Sequence, residues 1–418
     1  MIHKNFLEWR KEMTKSGTVN KTQVQNLMHY FLFDPNIYPS LFITLKKKTD
    51  IKVEDVKKAV EKAYTQNETT MSKIVLENGE AYFENMPKTG CKVFFDQRNW
   101  MDIIHENEKK TFKINEGEFV RTFIIDGKDE IRLLIMAHHI FGDGGSMVLF
   151  TQDILSNLAG ERVEYKPLNN DNQEPLPKTK YPFLKKLGIK LLNGQWKKVG
   201  KTFTWEDYFD VHEKFWKNRK SYIEPVTMTE SLAEIKAKSK KLGITINSYI
   251  TAKALQKNPE YQFIGMPTST RGTNRSMSNK VAVMRFHFQY NAEKSFEENA
   301  KEVHQCIKNS LEDSNKRYFI TRSILLFAPT LVDGAFMAHY TGYKNEIAEK
   351  MTGLLSMTKE NKTHLGITNI GKINLKEEYA SFEVNSVVAV AAPMSSTETA
   401  LAVCTVKDNL SLCYNTVK

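Results

Sequence analysis

The sequence predicts an α/β protein of the mixed α+β type with two lobes. Its 418 residues correspond to two or three compact units, since one domain takes roughly 100–200 residues. Strand patterns and helix patterns occur in both halves of the chain, which favours this fold class. With 41% hydrophobic and 26% charged residues, the composition excludes disordered, collagen-like and disulfide-scaffold proteins. We expect an N-terminal lobe over residues 1–160, a linker or crossover over 161–225 and a C-terminal lobe over 226–418.

The first half contains a predicted hairpin followed by a predicted helix. Apolar and polar residues alternate from about residue 103 to 137, which indicates two strands joined by a turn at 126–129. The second strand ends in the apolar run IRLLIMA and is expected to be buried. Apolar residues then recur at helical spacing as far as Gly160 (Met147, Phe150, Ile154 and Leu158). Residues 138–146 therefore form a strand-to-helix loop, where α/β proteins commonly place catalytic groups.

The second half repeats this mixture of elements. Periodicity predicts helices over 231–243, 244–256 and 295–311, and strands over 263–267, 281–288, 363–373 and 382–393. The stretch 169–177 is polar and contains prolines, so it is the best candidate for a linker.

Membrane-spanning and targeting segments are not indicated. The longest apolar stretches are interrupted by proline and are far shorter than the roughly 20 residues of a membrane span. The N-terminal sequence MIHKNFLEWRKEM has charges every few residues and lacks the apolar core and cleavage site of a signal peptide. We therefore expect a cytoplasmic protein.

The charge balance is basic, with 60 Lys and Arg against 49 Asp and Glu and a net charge of +11. This excess fits nucleic acid, anionic lipid, an acidic carrier protein or a phosphorylated cofactor. No zinc-finger spacing, bZIP heptad or RNA-recognition signature occurs, so we expect no nucleic-acid partner. The four cysteines are scattered without C-x-x-C, and neither a zinc site nor a redox motif is indicated.

The loop after the predicted hairpin contains the string HHIFGDG, residues 138–144. Adjacent histidines that leave a strand point to opposite faces, so one is able to support the loop while the other serves a site. Gly142 and Gly144 permit a tight turn and a close approach of substrate, and Asp143 is able to anchor the loop through an ion pair. A histidine held in this way is largely neutral at cytoplasmic pH and is able to accept a proton.

HHIFGDG matches the H-H-x-x-x-D-G motif of the CoA-dependent acyltransferase superfamily. That superfamily includes chloramphenicol acetyltransferase, nonribosomal-peptide condensation domains, plant BAHD enzymes and alcohol acetyltransferases. Further segments resemble the same family: GEFVR at 117–121, GITIN at 243–247, the P-x-x-x-R pattern at 267–271, Asn-Lys-Val at 279–281 and Thr-Asn-Ile-Gly at 368–371. The resemblance covers about half of the chain.

The resemblance implies two similar chloramphenicol-acetyltransferase-like lobes with mixed sheets and a tunnel between them. His139 would be the general base, and His138 would support the loop. Asp143 would be a structural anchor paired with Arg271, beside Gly142 and Gly144 of the motif. Thr368 or Asn369 would donate a hydrogen bond to the oxyanion.

The implied function is transfer of an acyl group from a thioester to a hydroxyl or amine of a small molecule or lipid. The expected co-substrate is acyl-CoA or, as the alternative, a phosphopantetheine thioester, and we expect no bound cofactor. One alternative is a standalone condensation enzyme that works with an acyl or peptidyl carrier protein. Another is a catalytically silent binding module of the same fold. A metal site using His138, His139 and Asp143 is disfavoured because neighbouring strand positions diverge.

The segment 183–201 mixes leucines and a tryptophan with six lysines. This pattern is compatible with an interfacial amphipathic helix that contacts anionic lipid, which would make the protein membrane-associated. The alternative is a helix packed against the second lobe with its lysines in solvent.

Overall fold

A computed structural model describes residues 21–168, 180–272 and 275–418 of the chain. The strands within these residues are β1 (Lys21–Gln23), β2 (Ser40–Lys47), β3 (Ser72–Glu77), β4 (Glu80–Asn85), β5 (Lys92–Phe95), β6 (Val120–Asp126), β7 (Glu130–Ala137), β8 (Ser221–Val226), β9 (Phe263–Ser269), β10 (Val281–His287), β11 (Thr363–Lys372), β12 (Phe382–Val390), β13 (Thr397–Val406) and β14 (Asn409–Val417).

The same residues contain twelve α-helices and three short 3-10 turns. The helices are α1 (Asn26–His29), α2 (Val53–Thr65), α3 (Trp100–Asn107), α4 (Gly144–Leu158), α5 (Phe183–Val199), α6 (Trp205–Trp216), α7 (Leu232–Leu242), α8 (Ile246–Lys257), α9 (Phe296–Glu312), α10 (Ser314–Leu326), α11 (Pro329–Tyr340) and α12 (Glu346–Leu354). The predicted linker at 169–177 lies outside the described residues.

Two large mixed sheets organise the chain, which confirms the predicted α/β fold class. The first has the strand order β12-β2-β7-β6-β5 and the second the order β10-β9-β11-β13-β14-β8. Most neighbours are antiparallel, but β5 runs parallel to β6, and β11 runs parallel to both β9 and β13. A smaller sheet contains β1, β4 and β3.

The first sheet combines both ends of the chain. Strand β12 pairs antiparallel with β2, from Phe382 opposite Lys47 to Val390 opposite Ser40. The strand therefore leaves the second half of the sequence and completes the sheet of the first half. In the segment 161–225, the structure contains the helices α5 and α6 and most of β8, and β8 extends the second sheet beside β14.

The local predictions were mostly confirmed. The hairpin of β6 and β7 forms with Asp126 opposite Ile131. Helices α7 and α9 begin with capping boxes at Ser231 and Ser295, which satisfy backbone N–H groups of the first turn. Gly243 ends α7 in the left-handed conformation that favours glycine.

One local prediction was wrong, because residues 103–107 are helical rather than part of a strand. They belong to α3, which begins where the Asn99 side chain accepts a hydrogen bond from the backbone N–H of Met101 (2.9 Å). Ile103 and Ile104 are buried on one side of this helix, so adjacent apolar residues here reflect helix packing.

Two clusters of buried residues stabilise these layers. The larger cluster joins the first sheet to α2, α4, α6 and α11. The second cluster lies between the second sheet and the helices α8 and α9, with Ile264, Leu365 and Leu401 at its centre. Each sheet thus has a face covered by helices. Residues of both sheets also line one cavity, which is described below.

No single helix of the described residues is long and apolar enough to cross a membrane. The pair of α10 and α11 satisfies the criterion only when taken together, and the two helices are bent by 92° relative to each other.

Candidate active site

The two motif histidines have different surroundings. The chain leaves β7 at Ala137, makes a 3-10 turn over His139–Phe141 and enters α4 at Gly144. The His138 side chain is fully buried, and its Nδ1 accepts a hydrogen bond from the backbone N–H of Ile140 (3.2 Å). Burial lowers the pKa of His138 well below its usual range, and the nearby rings of His212 and His139 lower it further. His138 is therefore a neutral, buried support of the turn.

His139 lies on the other side of the turn, at a cavity. Its ring stacks on Phe31 with 4.2 Å between ring centroids and an interplanar angle of 9°. Its carbonyl oxygen accepts a hydrogen bond from Asn279 Nδ2 (2.9 Å). The ring and the backbone of His139 are thus fixed by residues from two distant parts of the sequence.

The environment of His139 keeps its imidazole neutral. Burial lowers the pKa of His139, and this effect is opposed by the residue's own carbonyl, by the charge of Asp143 and by Asn279. Among the described residues, no group forms a hydrogen bond of standard geometry with the buried His139 Nδ1. Because Nδ1 is buried, Nε2 is the ring nitrogen that we assign to the cavity lined by His139.

Asp143 closes the loop and begins α4. Its Oδ1 accepts hydrogen bonds from the backbone N–H of Ser146 (2.9 Å) and from Arg271 Nη2 (2.6 Å). Its Oδ2 accepts a hydrogen bond from the backbone N–H of Lys280 (2.8 Å). The predicted contact between Asp143 and Arg271 is therefore present, and it joins the loop after β7 to the segment between β9 and β10.

Arg271 binds more than the carboxylate. Its Nη2 also donates to the carbonyl of Ser278 (2.7 Å) and to Ser146 Oγ (2.8 Å), and its Nη1 donates to the carbonyl of Ser276 (2.7 Å). Ser146 Oγ in turn donates to the Ser278 carbonyl (2.9 Å). The guanidinium is thus the centre of a buried polar network between the two halves of the chain.

Close contacts explain two of the motif glycines. Gly142 has a φ of 153°, and a Cβ at this position would lie 2.3 Å from Ser146 Oγ. A Cβ on Gly144 would lie 3.3 Å from Ile370 Cδ1 of the second sheet. Glycine therefore lets the loop approach both α4 and β11.

A cavity of about 270 Å³ lies between the two sheets, at His139. The first sheet contributes Leu41 and Val390 to its lining, and the second contributes Val283 and Thr368. One wall is formed by α10, through Phe319, Ile320 and neighbouring residues. Because most of the lining side chains are apolar, the cavity fits an apolar group beside the imidazole of His139, and the lining also includes Arg285.

The structure separates the two predicted oxyanion donors. Thr368 lines the cavity, whereas Asn369 points to the other face of β11, as successive strand residues do. Asn369 Nδ2 donates to Asn247 Oδ1 (2.9 Å), and its Oδ1 accepts from the backbone N–H of Gly371 (2.8 Å) beside a bulge in β11. Asn369 therefore supports the strand and α8, and only Thr368 is brought to the cavity with His139.

A second cavity, of about 300 Å³, adjoins the first, because Met394 and Thr397 line both. It is polar and basic, with Arg219, Lys362 and Lys418 in its lining together with the acidic side chain of Glu398. Burial lowers the pKa of Lys362, the charges of Glu398 and Asp34 raise it, and the charge of Arg219 lowers it again. Within the described residues neither Arg219 nor Lys362 forms an ion pair, so this cavity presents positive charge that is only partly neutralised.

A metal centre at the motif finds no support in the geometry. In residues 21–168, 180–272 and 275–418, no group of three His, Cys, Asp or Glu side chains is arranged to hold a metal ion. Asp143 is bound to Arg271, and His138 is buried away from the cavity.

Two residues of the site were not assigned a role from the sequence. Asn279 belongs to the Asn-Lys-Val segment that resembles the family, so its position was indicated but its bond to His139 was not. Phe31 precedes β2 and has no motif around it. Only its stacking on His139 identifies it, because nothing in the local sequence relates residues that are 108 positions apart.

Comparison with solved structures gives the same fold at low sequence identity. The first condensation domain of the CDA synthetase aligns with a TM-score of 0.61 and 8% identity, over 95% of this chain and 90% of that chain. A trichothecene 15-O-acetyltransferase from Fusarium sporotrichioides aligns at 0.60 and 13%, over 96% and 91%. The wax ester synthase/diacylglycerol acyltransferase from Marinobacter aquaeolei VT8 aligns at 0.54 and 12%, over 94% and 93%.

No known family model and no curated protein sequence matches the chain. At these identities the structural likeness establishes the fold alone. The fold is that of CoA-dependent acyltransferases and condensation domains, as the resemblance of the sequence implied.

Removing the buried anchor should destabilise the protein. In Asp143→Ala, the Arg271 guanidinium loses its charged partner in a buried site and α4 loses its cap, so we expect the free energy of unfolding to fall by about 3–5 kcal/mol. Urea denaturation measures this change. The matched control is Asp210→Ala, which breaks an exposed pair with Lys214 and should cost no more than about 0.5 kcal/mol. Equal losses in the two variants would contradict the anchoring role.

Proposed function

We propose that this protein transfers an acyl group from a thioester donor to a hydroxyl or amine acceptor, with His139 as the general base. The observation that supports the proposal most directly is the position of His139, a neutral imidazole fixed at an apolar cavity between the two sheets. Structural relatives that include an acetyltransferase, a wax ester synthase and condensation domains support the same reaction class.

The proposed chemistry uses Nε2 of His139. It accepts the proton of the acceptor's O–H or N–H while the acceptor atom bonds to the thioester carbonyl carbon. The tetrahedral oxyanion then breaks its C–S bond, and the imidazolium returns the proton to the thiolate. Because Thr368 lines the same cavity, its hydroxyl is the proposed donor to the oxyanion. Asp143 and Arg271 position the loop without contacting substrate.

The second cavity supports a phosphorylated donor. Thr368 and Thr363 are five residues apart on β11, which corresponds to about 16 Å at roughly 3.3 Å per residue. Lys362 of the basic cavity directly precedes Thr363. An extended pantetheine arm has 13 bonds from sulfur to phosphorus, comparable to a peptide of about four residues, and spans about 15 Å. We therefore propose that a donor whose thioester lies beside Thr368 has its phosphate in the basic cavity of Arg219 and Lys362.

Replacing the base should abolish acyl transfer. We expect His139→Ala to lower acceptor-dependent release of free thiol from acyl-CoA about 100- to 10,000-fold, the usual contribution of general-base catalysis. Assays use acyl-CoA esters of short to long chains with mixed alcohols and amines. His287→Ala is the matched control, since His287 is exposed at the end of β10, and it should keep full activity. Undiminished turnover in a folded His139→Ala would exclude His139 as the base.

The pH profile should report the lowered pKa of His139. Because burial disfavours the imidazolium, the base stays neutral to lower pH than an exposed histidine. The value of kcat/KM should therefore fall only at acidic pH, with an apparent pKa below about 6.5. An acid limb centred above that value, or one that persists in the residual activity of His139→Ala, would contradict the assignment.

The basic cavity should discriminate between donors. We expect Arg219→Ala and Lys362→Ala each to raise KM for acyl-CoA about tenfold or more, which corresponds to the typical free energy of a hydrogen bond to a charged group. Neither variant should change KM for acyl-pantetheine, because that donor has no phosphate. Lys257→Ala, at an exposed pair with Glu224, is the control.

The donor panel also tests the alternative reaction. Turnover of a holo-carrier thioester, with every CoA ester inert, would favour a condensation enzyme. Equal effects of Arg219→Ala on phosphorylated and unphosphorylated donors would exclude the phosphate site.

A further inference from the structure

Helix α5 presents apolar side chains to solvent. It packs on the protein with the face that contains Ile189 and Trp196, both buried. On the opposite face, four large apolar side chains are exposed, namely Phe183 (75%), Leu184 (78%), Leu187 (41%) and Leu191 (61%). At 100° per residue these four lie within an arc of about 100°, so they form one continuous stripe along the first turns of the helix.

The packed face of α5 is firmly held. Trp196 Nε1 donates to Thr330 Oγ1 (2.9 Å) at the start of α11. Asn193 Nδ2 donates to the carbonyl of Leu326 (2.8 Å), and Asn193 Oδ1 accepts from the backbone N–H of Ala328 (3.1 Å). The outward direction of the stripe is therefore fixed by the hydrogen bonds of the inner face.

Charge on α5 indicates what covers the stripe. The helix contains five lysines and no acidic residue. Lys186, Lys190 and Lys197 follow one edge of the stripe by helical geometry, and none of the three forms an ion pair within the described residues. A stripe of large apolar side chains edged by lysines fits the boundary between acyl chains and anionic headgroups.

The same helix lies against a wall of the cavity. The segment leading into α5 contacts α10, where Tyr181 hydrogen-bonds Ser323 (2.8 Å) and stacks on Phe319. Lys185 Nζ lies 4.4 Å from the centroid of the Phe319 ring. Phe319 and Ser323 both line the apolar cavity at His139. A single helix layer thus separates α5 from the candidate site.

We propose that the outer face of α5 docks the protein on an anionic lipid bilayer, from which an apolar long-chain substrate reaches the cavity behind α10. The docking part of this proposal depends only on the exposed apolar stripe and the lysines of α5. The delivery of substrate rests on the proposed acyl transfer.

Vesicle sedimentation tests the docking. The full chain should bind vesicles of an equal mixture of phosphatidylcholine and phosphatidylglycerol, and bind pure phosphatidylcholine vesicles more weakly. Replacing the three edge lysines by Gln (Lys186→Gln, Lys190→Gln and Lys197→Gln) should weaken binding to the mixed vesicles on the order of a hundredfold. Replacing the three leucines of the stripe by Ser (Leu184→Ser, Leu187→Ser and Leu191→Ser) should weaken it at least as much.

Two control variants remove the same charge and a similar apolar surface elsewhere. Lys236→Gln, Lys240→Gln and Lys241→Gln alter exposed lysines around α7, and Phe94→Ser with Phe95→Ser alters exposed aromatics of β5. Both controls should bind the mixed vesicles like the unaltered protein. The docking proposal is overturned if the unaltered protein binds neither kind of vesicle, or if the α5 variants bind the mixed vesicles normally. It is also overturned if the control variants lose as much vesicle binding as the α5 variants, or if α5 instead binds an acidic carrier protein in a parallel assay.

Activity separates the two proposals. With soluble short-chain acyl-CoA and a short alcohol, the α5 variants should match the unaltered protein, because α5 contributes no residue to the cavity at His139. With a long-chain alcohol in mixed vesicles, their turnover should fall along with vesicle binding. Binding that follows the predicted pattern without any acyl transfer would refute the proposed function and leave the docking intact. Equal turnover of the vesicle-borne alcohol by all variants would refute delivery from the bilayer.

Discussion

The buried ion pair between Asp143 and Arg271 is the interaction on which the rest of the site depends. It connects the loop after β7 with the segment between β9 and β10, and so it joins the two sheets at one point. The desolvation cost of two buried charges is offset by the further donors that surround them, including the backbone N–H groups of Ser146 and Lys280. Asn279 lies between Ser278, whose carbonyl binds Arg271, and Lys280, whose backbone N–H binds Asp143. These neighbours hold the Asn279 side chain where its Nδ2 donates to the His139 carbonyl.

This arrangement keeps the ion pair of Asp143 and Arg271 out of the cavity lining. The cavity lining is mostly apolar and contains the uncharged imidazole of His139 and the guanidinium of Arg285, but neither Asp143 nor Arg271. A neutral His139 is able to accept a proton. A carboxylate beside the His139 ring would instead raise the pKa of His139 and favour the imidazolium, which is unable to accept a further proton. Burial is the dominant effect on the pKa of His139 and lowers it, whereas the residue's own carbonyl, the charge of Asp143 and Asn279 raise it.

The sequence was most informative where structure is local. The hairpin of β6 and β7, the caps of α7 and α9 and the HHIFGDG loop each follow from spacing within a few residues. Strand β13 was not predicted because it is buried on both faces of the second sheet, so its residues do not alternate. Helices α10 and α11 were not predicted because neither has one apolar face and one polar face. Helix α10 lies between α5 and the cavity, and α11 is buried in the core. The pairing of β12 with β2 and the stacking of Phe31 on His139 are tertiary contacts with no local signal.

The position of α10 relates the inner cavity to the outer surface. One side of this helix lines the cavity through Phe319 and Ser323, and the segment 181–185 lies against the same two residues. The basic cavity meets the apolar one elsewhere, at Met394 and Thr397. On the proposals made above, a donor with phosphates would therefore approach His139 from the side of the basic cavity, and an acceptor with a long apolar chain would approach it from the side of α10. Because these two sides differ in polarity, each would then favour the proposed substrate that the other disfavours.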